Sequence, residues 1–214
     1  MAGRTLKRKR TGVRMGRRNR EELRRAAARR RRRTTLAVVG GAAFLVLLMV
    51  AVIVVNIRNS RPVGAERSVP TQGNSHIARG ALSPIEYNTT PPTSGPHYGG
   101  LAPWGVSTQP VRYEQILHNL EDGAVAVYYQ CPEGCPELVD ALSELVEVYA
   151  RAGRKVLLVP NDPSWTDGGT QPVHRDMGGR IALTAWQRID VFDEFDEQRI
   201  RAFIERYEGR DNHR

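Results

Sequence analysis

AVAVYYQCPEGCPEL, from Ala124 to Leu138, is the stretch on which the reading of the chain turns. Its first six residues, Ala124 to Tyr129, are rich in β-formers and too short for a buried helix, so they predict a central strand. The turn CPEGC follows and holds Cys131 and Cys135, the only two cysteines in the chain. Pro136 then stands where the first turn of a helix tolerates proline. Leu138, Leu142, Leu145 and Tyr149 recur on one helical face, and Gly153 lies beyond the end. Val156 to Val159 reads as the next strand. A strand, a helix and a strand at this spacing predict a parallel crossover.

Downstream, a loop of about twenty residues, Pro160 to Gly179, is long enough to be either functional or ordered by its own contacts. Two strands follow, Ile181 to Trp186 and Ile189 to Phe192, with a tight turn at Gln187 and Arg188. The last helix has Asp196 as N-cap, Phe195 and Ile200 as a hydrophobic staple, and Ile200, Phe203, Ile204 and Tyr207 at helical spacing. Upstream, Tyr113, Ile116, Leu117 and Leu120 fall at helical spacing before Gly123 and predict a short amphipathic helix over residues 111–122. The string EYNTTPPTSGPHYGGLAPWG, Glu86 to Gly105, has too many Pro and Gly for a helix or central strand and predicts an extended wrap on the surface. The order strand, cysteine turn, helix, strand, hairpin, helix resembles a pared-down thioredoxin-like domain, so the expected class is α/β.

The first quarter of the chain has another character. LAVVGGAAFLVLLMVAVIVV, Leu36 to Val55, holds no charged residue, and some 20 residues in a helix span roughly 30 Å, the thickness of a hydrocarbon core. Arg29 to Arg33 abut its N-terminal end and only Arg58 and Arg61 follow it, so the positive-inside bias puts the N-terminus in the cytoplasm. A cleaved signal peptide is the rival; the long tail and long apolar run favour an uncleaved anchor. The formal charge of +9 divides by position: residues 1–33 hold 16 of the 32 Lys and Arg against two acidic residues, +14, which leaves −5 for the rest. The basic tail accounts for topology and contact with anionic lipid, and the acidic remainder offers no nucleic-acid face. Only Lys7, Lys9 and Lys155 are lysines, an arginine bias that fits a bacterial plasma membrane. The expected organisation is a disordered cytoplasmic tail (1–33), a transmembrane helix (34–57), a stalk (58–83), an extracytoplasmic domain (84–209) and a terminus (210–214).

YNTTPPTSGPHY (Tyr87 to Tyr98), HNLEDG (His118 to Gly123), IALTAW (Ile181 to Trp186) and FIERY (Phe203 to Tyr207) resemble the bacterial family catalogued as domain of unknown function 3105. The resemblance implies a membrane anchor before the domain and no particular activity. Where many relatives carry His in the second motif, this chain has Asp122, which weakens a metal site built on that helix.

The segment from Cys131 to Pro136 also looks like the copper-site turn of SCO-type copper chaperones. Two thiolates on one turn suit Cu(I), and a helix N-terminus favours the thiolate. The further ligand would come from His174, Met177, His97 or His118. Outside the cytoplasm the same pair could instead be a structural disulfide or a reducible redox pair. His118, Glu121 and Asp122 form an HxxED cluster that could ligate zinc or, more plainly, be a solvated helical face. His97, Tyr98 and Trp104 either line a ligand site or pin the wrap to the core. Trp165 reads as a loop anchor, Trp186 as core, and His76 and His213 as solvated residues of stalk and terminus. No nucleophile elbow, phosphate loop, dinucleotide fingerprint or complete zinc spacing occurs, so the sequence leans against an enzyme and leaves the question open. Three classes stay open: a metal-binding or metal-handling module with copper as a candidate cofactor, a thiol redox module, and a non-catalytic envelope protein that binds another protein.

Overall fold

The structure, a computed structural model, describes residues 9–59 and 64–213, in two units, residues 1–59 and 60–214. The first unit is one helix, α1 (Lys9–Asn59). Among the described residues it is the one helix long and apolar enough to cross a membrane. It begins well inside the tail expected to be disordered, because its Ala and Arg residues are good helix formers. The first eight residues of that tail lie outside the described residues.

The second unit runs β1 (Arg67–Ser68), β2 (His76–Ile77), β3 (His97–Tyr98), β4 (Gly105–Val106), α2 (Tyr113–Glu121), β5 (Val125–Tyr129), α3 (Pro136–Arg151), β6 (Val156–Pro160), β7 (Ile181–Ala185), β8 (Arg188–Phe192) and α4 (Glu197–Tyr207). Six strands make one mixed sheet in the order β1-β8-β7-β5-β6-β4, while β2 and β3 form a separate parallel pair. β5 is central. It runs parallel to β6, with Val127 opposite Leu158, and antiparallel to β7, with Val127 opposite Leu183.

Side chains alternate between the two faces of such a strand. Val125 and Val127 join Val156, Leu158, Ile181 and Leu183 in a core with Leu142 and Val146 of α3 and Ile200, Phe203 and Ile204 of α4. Ala126, Tyr128, Leu157 and Ala182 pack instead with Ile116, Leu117 and Leu120 of α2. Asp196 caps α4 by accepting from the Arg199 N–H at 2.9 Å. Phe195, expected in a staple, is 39% exposed. The hairpin turns one residue earlier than expected, at Trp186 and Gln187, with Gln187 at φ 60°.

Residues 64–83, expected as a stalk, take part in this unit. Arg67 pairs with Ile189, Val69 is buried, and Glu66 accepts from Arg206 Nη1 at 2.6 Å and the Tyr207 hydroxyl at 2.7 Å. Backbone pairing and polar side chains hold this segment, so no apolar period marks it in sequence.

Residues 91–98 of the proline-rich string are buried rather than spread on the surface. Their polar backbone is satisfied inside: the Gly95 N–H donates to Gly73 O, the His97 N–H to Ser75 O, and Thr93 O accepts from the Gln187 N–H. α2 lies against both β3 and β5. It is therefore covered on two faces, and Glu114, Asn119 and Glu121 are buried along with its apolar residues.

Candidate metal centre

Four side chains converge at α2: His76, His97, His118 and Glu121, whose ligand atoms all lie within 4.8 Å of one another. Ligand atoms around a tetrahedral zinc stand about 3.3 Å apart, given bonds of about 2.0–2.1 Å. Three local features bring them together. The parallel pairing of β2 with β3 sets His76 opposite His97, ring centroids 5.0 Å apart. His118 and Glu121 stand three apart on α2 and so share a face. The Asn119 side chain clamps the chain after β3 to α2, accepting from the Ala102 N–H at 2.7 Å and donating to Ala102 O at 3.0 Å.

The hydrogen bonds single out the lone pairs that face inward. His97 Nδ1 lies 2.8 Å from Gly95 O, and His97 Nε2 lies 3.1 Å from Glu121 Oε2. Both partners are acceptors, yet a neutral imidazole has one N–H. Either a further proton or a cation must sit between His97 and Glu121, and the pair is 0% and 1% exposed. Glu121 is itself oriented, since its Oε1 accepts from Asn74 Nδ2 at 2.7 Å. Such outer hydrogen bonds are what hold metal ligands in place. His118 Nδ1 is buried with no hydrogen-bond partner among the described residues. Burial pushes the His118 imidazole below its ordinary value, against the opposing charge of Asp122, and His97 and His76 add to the lowering. The shift favours the neutral form, which is the one that ligates. The Trp186 ring meets His97 edge-on at 6.0 Å and His76 is exposed, so the cluster has a closed side and an open one. Three imidazoles and a carboxylate can hold a divalent transition ion.

The residues proposed from sequence divide differently. His97 and His118 join the cluster. Cys131 and Cys135 are bonded to each other, with Cα atoms 5.8 Å apart, and the pair offers no thiolate for Cu(I) in this state. Neither belongs to a metal-competent group among the described residues. His174 is buried and occupied: its ring stacks on Tyr113 at 4.4 Å, its Nε2–H donates to Val111 O at 2.9 Å, and its Nδ1 accepts from the Asp162 N–H at 3.2 Å. Met177 packs in the core beside α2. Asp122 stands outside the cluster and faces His213 at 3.2 Å. The face expected to be solvated at His118, Glu121 and Asp122 is partly covered by β3, which buries Glu121 and leaves His118 and Asp122 half-buried. His76, expected to be solvated, is missing from the sequence-derived set, since a two-residue strand in a Gly/Ser/Pro-rich segment leaves no periodic trace. One signal was available: the chain has only five histidines, and in the fold the rings of His76, His97 and His118 contact one another while that of His213 contacts His118.

No curated protein and no solved structure matches the chain. A family of proteins of unknown function matches residues 79–214, so the matched span includes His97, His118 and Glu121 and begins just after His76. The chain belongs to that family, DUF3105.

Proposed function

We propose that the second unit is a metal-binding module that holds one divalent transition ion, of the zinc or Cu(II) type, through His76, His97, His118 and Glu121. The carrying observation is His97, whose two ring nitrogens both face acceptors in a buried pocket beside the orphaned Nδ1 of His118. Nitrogen and carboxylate donors suit borderline divalent ions better than Cu(I), which prefers thiolates. The module is thioredoxin-like, with the cysteine turn between β5 and α3 closed as a structural disulfide. It is held at a bacterial plasma membrane by the apolar half of α1, with the basic N-terminus in the cytoplasm and the module outside it, as the arginine cluster before Leu36 supports. The exposed edge at His76 suits an ion that is exchanged with a partner or meets a small substrate, more than a closed structural ion.

The test is metal content. Full-length chain, purified in detergent without a histidine tag and dialysed against Zn2+, is expected to hold about one ion, and His97→Ala with His118→Ala none. A chain that stays metal-free at micromolar free Zn2+ and Cu2+ would overturn the reading.

A further inference from the structure

We infer that His213, on the C-terminal segment, is a further ligand of the same ion, an inference that rests on the metal-binding reading above. The segment is tied to the end of α2 by its backbone, through the Gly209 N–H donating to Gly123 O at 2.8 Å and the Asn212 N–H donating to Glu121 O at 2.9 Å. Gly123 lets it come so near: at φ +87° a side chain there would be strained, and an added Cβ would stand 2.8 Å from the Arg210 backbone.

The imidazole is oriented as metal-bound histidines are. His213 Nδ1 lies 2.6 Å from Asp211 Oδ1, an arrangement in which a carboxylate accepts from Nδ1–H and leaves the Nε2 lone pair for a metal. That Nε2 faces Glu121 Oε2 at 3.7 Å and Asp122 Oδ1 at 3.2 Å. Glu121 Oε2 thus has His97 Nε2 at 3.1 Å and His213 Nε2 at 3.7 Å, both separations that two ligands of one ion can take. The His213 ring is 6.3 Å from that of His118, close to the 5.4 Å between His97 and His118. Asp122 and the ion compete for His213, and a small rotation carries Nε2 from Asp122 to the metal. The terminal segment then acts as a strap that slows loss of the ion.

Full-length chain in detergent tests this, with Zn2+ competed against a chromophoric chelator and Co2+ read by its visible absorption. His213→Ala is expected to keep one ion per chain, weaken Zn2+ binding about tenfold or more, and strengthen the Co2+ bands as coordination falls from five to four. Asp122→Asn, which frees His213 from its competitor, is expected to bind as tightly as the unaltered chain or more so. Unchanged affinity and Co2+ spectrum in His213→Ala would overturn the inference while leaving the metal site itself intact. An unaltered chain that binds neither ion would overturn both.

Discussion

Replacing Glu121 by glutamine separates a metal site from a structural ion pair. Glutamine has the shape of glutamate, so its carbonyl oxygen still accepts from Asn74 Nδ2 while its amide N–H reaches His97 Nε2, where a carboxylate oxygen stood at 3.1 Å. Without metal, this variant exchanges a carboxylate that is 1% exposed for a neutral group with both contacts made, and its stability is expected to stay within about 1 kcal/mol of the unaltered chain or to rise. With metal the outcome inverts. An ion present at a thousand times its dissociation constant stabilises the fold by about 4.1 kcal/mol, and a hundredfold loss of affinity reduces that to about 1.4 kcal/mol. At about 2–4 °C per kcal/mol for a domain of this size, the Zn2+-induced rise in melting temperature should fall from about 8–16 °C to about 3–6 °C. Thermal scans with Zn2+ and with a chelator measure both quantities. If the metal-free variant instead loses about 3–5 kcal/mol, as when one partner of a buried ion pair is removed, and Zn2+ stabilises neither protein, the cluster is a structural pair.

Two further outcomes test the surroundings of the site. Burial holds the His174 imidazole below its ordinary value, so the unfolded chain takes up that proton first: the contribution to stability is complete above about pH 6.5 and is lost as pH falls toward the depressed folded value, at up to about 1.4 kcal/mol per pH unit. Urea unfolding in metal-free buffer from pH 7 to pH 5 should show this slope and His174→Gln should lessen it; equal slopes would contradict the account. Opening the Cys131–Cys135 bond frees a ring of about five residues, which on chain entropy costs about 2 kcal/mol, so a reductant should lower the denaturation midpoint slightly and leave bound Zn2+ unchanged. Loss of Zn2+ from Cys131→Ser would return the cysteines to the metal site.

Much of the fold was legible because its signals are local. The short β-rich apolar runs of β5 and β6, the one-sided leucines of α3 and the Asp196 cap each depend on residues close together in the chain, and each gives a compositional, periodic or capping pattern. Of the site, His118 and Glu121 were legible as one helical face and His97 as a candidate ligand in the proline-rich string, but not that they meet, nor that His76 joins them. The rest was hidden for a physical reason. β2 and β3 are two residues long, and their pairing is made by backbone groups that carry no side-chain pattern. The same holds for β1, which turned an expected stalk into part of the sheet.

By itself the sequence determined the apolar span from Leu36 to Val55, the division of charge around it, and the strand–helix–strand unit at the cysteine turn, since hydrophobic period and charge are properties of the chain. Only the tertiary structure decided where the chemistry sits. His97 and Glu121 are 24 residues apart and Asn74 is 47 from Glu121, so no local rule links them. They meet because α2 is covered on both faces, and burying their polar atoms requires that each find a partner there: hydrogen bonds for most, and for the lone pairs left over, a proton or a metal ion.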